Sequence, residues 1–178
     1  MGLRGSMSKE FWHSGLRFSC QQCSDCCRHA PGFVFLSKLD LKKLILFLKL
    51  DFSLFYSKYL KQVDIGTGIS LSLTEKPNHD CIFWEAGGCT VYPARPIQCN
   101  TYPFWESIIE NEEKWKAEAT DCPGIETGLL KDRSSIEDSL WRRRRNKPIE
   151  IPYEMAGEGL DEDSILGGSG VNSNANDT

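Results

Sequence analysis

Long hydrophobic runs are missing from this 178-residue sequence. The most apolar stretch, Leu39 to Leu60, is broken by Asp40, Lys42, Lys43, Lys49, Asp51 and Lys58, whereas a membrane-spanning helix needs about 20 mostly apolar residues. Membrane insertion is therefore not expected. No apolar segment follows the first charges, so an export signal is not expected either. Also absent are the G-x-x-x-x-G-K-[ST] phosphate loop, the G-x-G-x-x-G turn, the G-x-S-x-G elbow and the H-E-x-x-H pair, which removes support for nucleotide, hydrolase and zincin chemistries. Neither sign of charge dominates: the net charge is -4 and the pI is near 5.4. Nucleic acid is accordingly not expected as a partner. The one basic patch, Arg142 to Arg145 beside Trp141, falls at a predicted helix C-terminus, where cations complement the helix dipole.

Hydrophobic residues make up 40% and charged residues 26% of the chain, enough for one domain with its own core. Ser37 and Asp40 form a helix start, and Leu41, Leu44, Ile45 and Leu48 line one helical face. A second helix is expected over roughly Ser53 to Lys61. Phe33 to Leu36 reads as a short strand. Ile69, Leu71 and Leu73 alternate with Ser70, Ser72 and Thr74, the period of a half-buried strand. Cys81 to Glu85 and Cys89 to Tyr92 flank Ala86-Gly87-Gly88 and predict a hairpin. Lys114 to Ala119 alternates around Trp115 and reads as another strand. Ser134 and Glu137 read as the capping box of a last helix, with Ile136 and Leu140 as its apolar stripe. The sum is an α+β fold: a small metal-stabilised domain over residues 9–151, with short strands and hairpins packed on several helices. Residues 1–8 read as a disordered start or tag. Residues 152–178, acidic and then rich in Gly, Ser and Asn, read as a disordered tail.

Eight cysteines stand out: Cys20, Cys23, Cys26, Cys27, Cys81, Cys89, Cys99 and Cys122. With no export signal expected, thiolates held by a metal are preferred to disulfides, and a cytoplasmic location follows. In Cys20-x-x-Cys23-x-x-Cys26-Cys27 the two-residue gaps let the chain curl so that successive sulfurs converge on one ion, at about 2.3 Å for zinc. Neighbouring side chains diverge, so one sulfur of the vicinal pair Cys26 and Cys27 is expected to face a different partner. The four downstream cysteines either close the first site or build a second, and spacing leaves both arrangements open. Four thiolates on a divalent ion leave a charge of about −2 to be offset, for which Arg28 and Arg95 are the candidates. His29 and His79, near cysteines, are weighed as ligands and set below the thiols; Asp80 reads as a turn cap. Pro93, Pro96 and Pro103 stiffen the segment around Cys89 and Cys99. Phe83, Trp84, Tyr92, Phe104 and Trp105 read as an apolar wall around the sulfurs or as ordinary core.

The N-terminal cluster, followed by Cys81-Ile82-Phe83, Gly88-Cys89-Thr90-Val91-Tyr92, Arg95-Pro96, Cys99, Tyr102-Pro103-Phe104 and Cys122-Pro123-Gly124, resembles the YkgJ-type CxxCxxCC family from Phe18 to Gly124. Members of that family are described as zinc- or iron-chelating proteins, and some as iron–sulfur oxidoreductases. The resemblance implies that all eight cysteines chelate and that the cofactor is zinc or iron, with an iron–sulfur cluster among the forms. Two positions depart from the family pattern: Asn100, where a basic residue often follows the third downstream cysteine, and Asp25, where a small residue is common. The leading functional expectation is a metal-chelating protein. An iron–sulfur oxidoreductase or protein-modifying enzyme is the alternative, and a metal-scaffolded interaction module the second alternative.

Overall fold

The computed structural model describes residues 10–156 and 160–167. The predicted start or tag over 1–8 lies outside them. The chain is α+β, with seven α-helices among the described residues and short antiparallel strands. No described helix is long and apolar enough to cross a membrane.

Strand β1 (Leu16–Phe18) pairs antiparallel with β6 (Ile125–Lys131). Strands β2 (Leu60–Asp64), β3 (Ile69–Leu73) and β7 (Glu150–Ile151) form a second sheet in the order β2-β3-β7. The small hairpin of β4 (Trp84–Glu85) and β5 (Gly88–Cys89) sets Trp84 opposite Cys89. It is shorter than the sequence predicts, and Cys81 instead bridges Glu75. Phe33 to Leu36 is not a full strand; Phe35 makes a single bridge to Ser72.

Helix α1 (Lys38–Leu48) starts where the sequence places it, because Ser37 and Asp40 close a complete capping box. Leu41 and Leu44 are fully buried, worth about 1.5–3 kcal/mol each on the usual transfer scale. Asp40 is also buried, and its second carboxylate oxygen accepts from the Ile97 amide at 2.8 Å, fastening α1 to α3 (Ile97–Asn100), the short helix that carries Cys99. Helix α2 (Phe52–Tyr59) matches the second expected helix and runs directly into β2. The serines of β3 are buried along with its leucines. The strand is central in its sheet, Ser70 Oγ donates to the Ile149 carbonyl at 2.8 Å, and the Val34 amide donates to Ser72 Oγ.

Lys114 to Ala119 is not a strand. It lies in α4 (Glu112–Glu118), where Asn111 caps the Lys114 amide, Glu112 and Glu113 occupy the first turn, and Glu110–Lys114 and Glu112–Lys116 pair across one turn. Helix α5 (Arg133–Arg145) is capped by Asp132, not by Ser134, and Glu137 pairs with Arg133. The described chain continues past Ile151, while residues 157–159 and 168–178 of the expected tail lie outside the described residues. Helices α6 (Tyr153–Ala156) and α7 (Glu162–Leu166) follow, and Ile165 and Leu166 join the core. Leu160 packs against the same core.

The buried side chains form two clusters. One gathers α1, α2, β3, Phe83, Val91 and Ile165; the other gathers Trp12, Phe18, Phe104, Trp115, Cys122, Ile136 and Leu140. Gln98 on α3 spans the seam. Its side chain accepts from the Phe35 amide and donates to the Phe33 carbonyl, and its own carbonyl accepts from the Trp105 indole.

Asp132 and Asp161, which cap α5 and α7, are held below their ordinary value of 3.8 by the Ser135 and Ser164 groups they accept from. A carboxylate depressed in the folded chain stabilises it fully above the unfolded pKa and loses that contribution as pH falls through the folded value. In urea titrations, Asp132→Asn is expected to unfold earlier than the parent above about pH 5 and to converge with it near pH 2. An unchanged gap at both pH values would contradict the charged cap.

Candidate metal centre

The N-terminal cysteine loop has little regular structure beyond a 3-10 turn, Asp25–Cys27. Gln22, Ser24 and His29 all adopt positive φ, at 55°, 68° and 73°, a region that side chains seldom enter. The chain therefore changes direction within each spacer, which is how closely spaced cysteines are turned toward different neighbours. The loop is pinned at both ends. Its start lies against the Cys122 segment: the Ser19 amide donates to the Gly124 carbonyl at 3.1 Å and Ser19 Oγ accepts from Leu129. A Cβ on Gly124 would sit 2.5 Å from the Ser19 carbonyl oxygen, so only glycine permits this approach. Its end lies against the Cys81 segment, whose amide donates to the Cys27 carbonyl at 2.7 Å.

Cys26, Cys27, Cys81 and Cys99 all open onto one cleft of about 610 Å³, whose walls include Phe33, Tyr102 and Trp105. Cys26 and Cys27 are 3.8 Å apart at sulfur. The thiol of Cys27 hydrogen-bonds to Cys26 and, with the Arg95 charge, lowers the Cys26 pKa to about 7 against a partial loss of solvation. Cys27 moves up correspondingly, through that hydrogen bond, burial and the nearby sulfurs of Cys26, Cys99 and Cys81. Burial raises Cys99, and Cys81, Cys26 and Cys89 add to the rise; burial likewise raises Cys81, Cys89 and Cys122. The charges of Cys81, Cys26 and Cys89 are felt at Cys99, those of Cys26 and Cys20 at Cys122, and that of Cys122 at Cys23. Among the described residues, no three His, Cys, Asp or Glu side chains yet converge tightly enough to grip an ion. Cys20, Cys23 and Cys26 are exposed, Cys122 is buried, and the others are intermediate.

The surrounding donors suit an anionic, sulfur-rich centre. Among the described residues, three buried side-chain nitrogens lack a hydrogen-bond partner: Trp84 Nε1, Arg95 Nε and Arg143 Nη1. Trp84 is the strand partner of Cys89, the Arg95 charge lowers the Cys26, Cys89 and Cys99 pKa values, and Arg143 lies over Trp105, which lines the cleft with Cys99. Each unsatisfied donor costs about 1–3 kcal/mol, a cost that thiolate acceptors would relieve. The donor set thus fits zinc or thiolate-bound iron.

A family model described as "Putative zinc- or iron-chelating domain" matches residues 19–123, from the first cysteine cluster through Cys122. The chain belongs to the CxxCxxCC family. No solved structure matches it. The family segment supplies all eight cysteines and Arg95, while helix α5 lies beyond it.

Of the two arginines singled out in the sequence, Arg95 stacks on Tyr92 at 3.7 Å with its Nε unsatisfied. Arg28, on the wall of the cysteine-lined cleft, pairs with Asp80 at 3.3 Å and lies 3.8 Å over Trp84. Asp80 also accepts from Asn78, so it braces the loop. His29 and His79 are exposed residues of the cleft wall, and His13 meets Arg133. The aromatic wall is divided: Phe83 and Phe104 belong to separate cores, while Trp84, Tyr92 and Trp105 serve as platforms for Arg28, Arg95 and Arg143. Arg143 was missed because a four-arginine run at a helix end reads as dipole compensation. In the folded chain Arg142 contacts Asn100, Arg144 pairs with Glu106 and Arg145 stacks on Trp141.

Proposed function

We propose that this member of the CxxCxxCC family binds its metal through the cysteines that meet at the seam of the two cores, with Cys26, Cys27, Cys81, Cys89 and Cys99 as the principal donor group and Cys20, Cys23 and Cys122 as the adjoining one. Arg95 offsets the thiolate charge. The observation that carries this reading is that Cys26, Cys27, Cys81 and Cys99, from three separate stretches of chain, line one cleft. Bound zinc or iron would hold those stretches together and, where iron forms a cluster, would supply electron-transfer chemistry. The protein residues fix the sulfurs, satisfy them with N–H donors and limit access to them. Eight available thiols suit a reducing compartment such as the cytoplasm. The contacts of Arg142 with Asn100, Arg144 with Glu106 and Arg145 with Trp141 support leaving nucleic acid aside as a partner.

A second reading, an iron–sulfur enzyme acting on another molecule, is favoured by the size of the cleft beside the thiols, about 610 Å³, within the range of small-molecule sites. One anaerobic preparation separates the two. A colourless protein with stoichiometric zinc supports simple chelation. Brown protein with absorbance at roughly 400 nm that bleaches on reduction supports the second. Cys81→Ser and Cys99→Ser are each expected to lose stoichiometric metal by elemental analysis; full retention by both would remove the downstream cysteines from the donor group.

A further inference from the structure

We infer that Arg143, on α5 and outside the family segment, is a positioning residue for the metal centre that donates its Nη1–H to the Cys99 sulfur when that sulfur binds metal. This rests on the metal-chelating reading above. The last turn of α5 packs on α3, where Arg142 donates to Asn100 Oδ1 at 2.7 Å, next to Cys99 in the chain. Arg143 is directed inward, its guanidinium 4.7 Å over the Trp105 ring, and Trp105 is itself fixed by its indole bond to the Gln98 carbonyl at 3.0 Å. The buried Nη1 has no partner. Trp105 and Cys99 line the same cleft, and the adjacent acid Glu106 is held by Arg144 at 2.6 Å, which makes the Cys99 sulfur the acceptor for the unpaired donor.

A metal-bound thiolate is a stronger acceptor than a neutral thiol, and a hydrogen bond from a cation orients it and spreads its charge. A purely structural Arg143 would behave otherwise. Stacked on Trp105 and complementing the helix dipole, it would contribute to folding but leave metal affinity alone.

The test compares the full-length chain with Arg143→Gln, Arg143→Met and Arg145→Gln under anaerobic conditions. Zinc affinity is read by competition with a chromophoric chelator, cobalt(II) charge-transfer bands report thiolate coordination, and circular dichroism reports folding. Arg143→Met keeps an aliphatic stem on Trp105 and guards against misfolding of the glutamine variant. Both folded Arg143 variants are expected to bind zinc about 10- to 100-fold more weakly, with a shifted cobalt(II) band. Arg145→Gln, from the same turn but exposed on Trp141, should match the parent. Unchanged affinity in either folded Arg143 variant overturns the inference while leaving the metal reading intact. A parent chain that takes up neither zinc nor iron overturns both.

Discussion

Stripping the metal from the native protein with a strong chelator is expected to unfold the cysteine-bearing part of the chain. The loop from Ser19 to Pro31 holds no buried apolar side chain and no regular element beyond one 3-10 turn. Its hold on the rest of the molecule is a few polar contacts: the backbone bonds of Ser19 to Gly124 and Cys81 to Cys27, the Leu129 amide on Ser19 Oγ, and Arg28 against Asp80 and Trp84. The hairpin carrying Cys89 is only two residues deep on each side, and isolated hairpins are marginal in water. A structural zinc site contributes on the order of 10 kcal/mol or more, comparable with the whole stability of an ordinary domain, about 5–15 kcal/mol. The expected signature is a large drop in melting temperature and loss of amide protection over residues 19–36 and 76–105. Circular dichroism and melting that do not change after verified metal removal would contradict it.

Trp115→Ala is expected to be the most damaging substitution away from the cysteines, at about 3–5 kcal/mol. Trp115 is fully buried, stacks on Phe104 with ring centroids 5.8 Å apart, and Phe104 in turn meets Phe18 edge-on at 5.6 Å. Its indole N–H donates to Glu126 on β6. Truncation removes one end of this stack and leaves a cavity in the core that also buries Cys122. Trp115→Phe keeps most of the ring volume and should recover most of the loss in a urea titration. A Trp115→Ala midpoint within error of the parent would show that the second core does not depend on this side chain.

Trp115 also shows where local sequence misleads. Its alternation with Lys114 and Lys116 has the period of a strand, yet Asn111 capping, an acidic first turn and two ion pairs one turn apart favour a helix. A single buried residue in seven does not define a period. The first helix was legible because Ser37 and Asp40 cap it locally and its apolar face repeats over three turns. Strands β1, β6 and β7 carried no such signal, since their pairing joins residues more than a hundred positions apart or adds a two-residue edge. The burial of Ile165 and Leu166 carries no local signal either, because it depends on the distant core they reach together with Leu160.

The sequence by itself determined the class of chemistry: eight thiols in a recognisable order, the family they belong to, and an α+β domain with a well-capped first helix. Tertiary structure decided which cysteines share a cleft. The reason is that side-chain convergence is a three-dimensional property. Spacing carries Cys26 and Cys27 to the same turn, but only folding brings Cys81 and Cys99 to their cleft and directs Arg143 inward while Arg28 is held by Asp80.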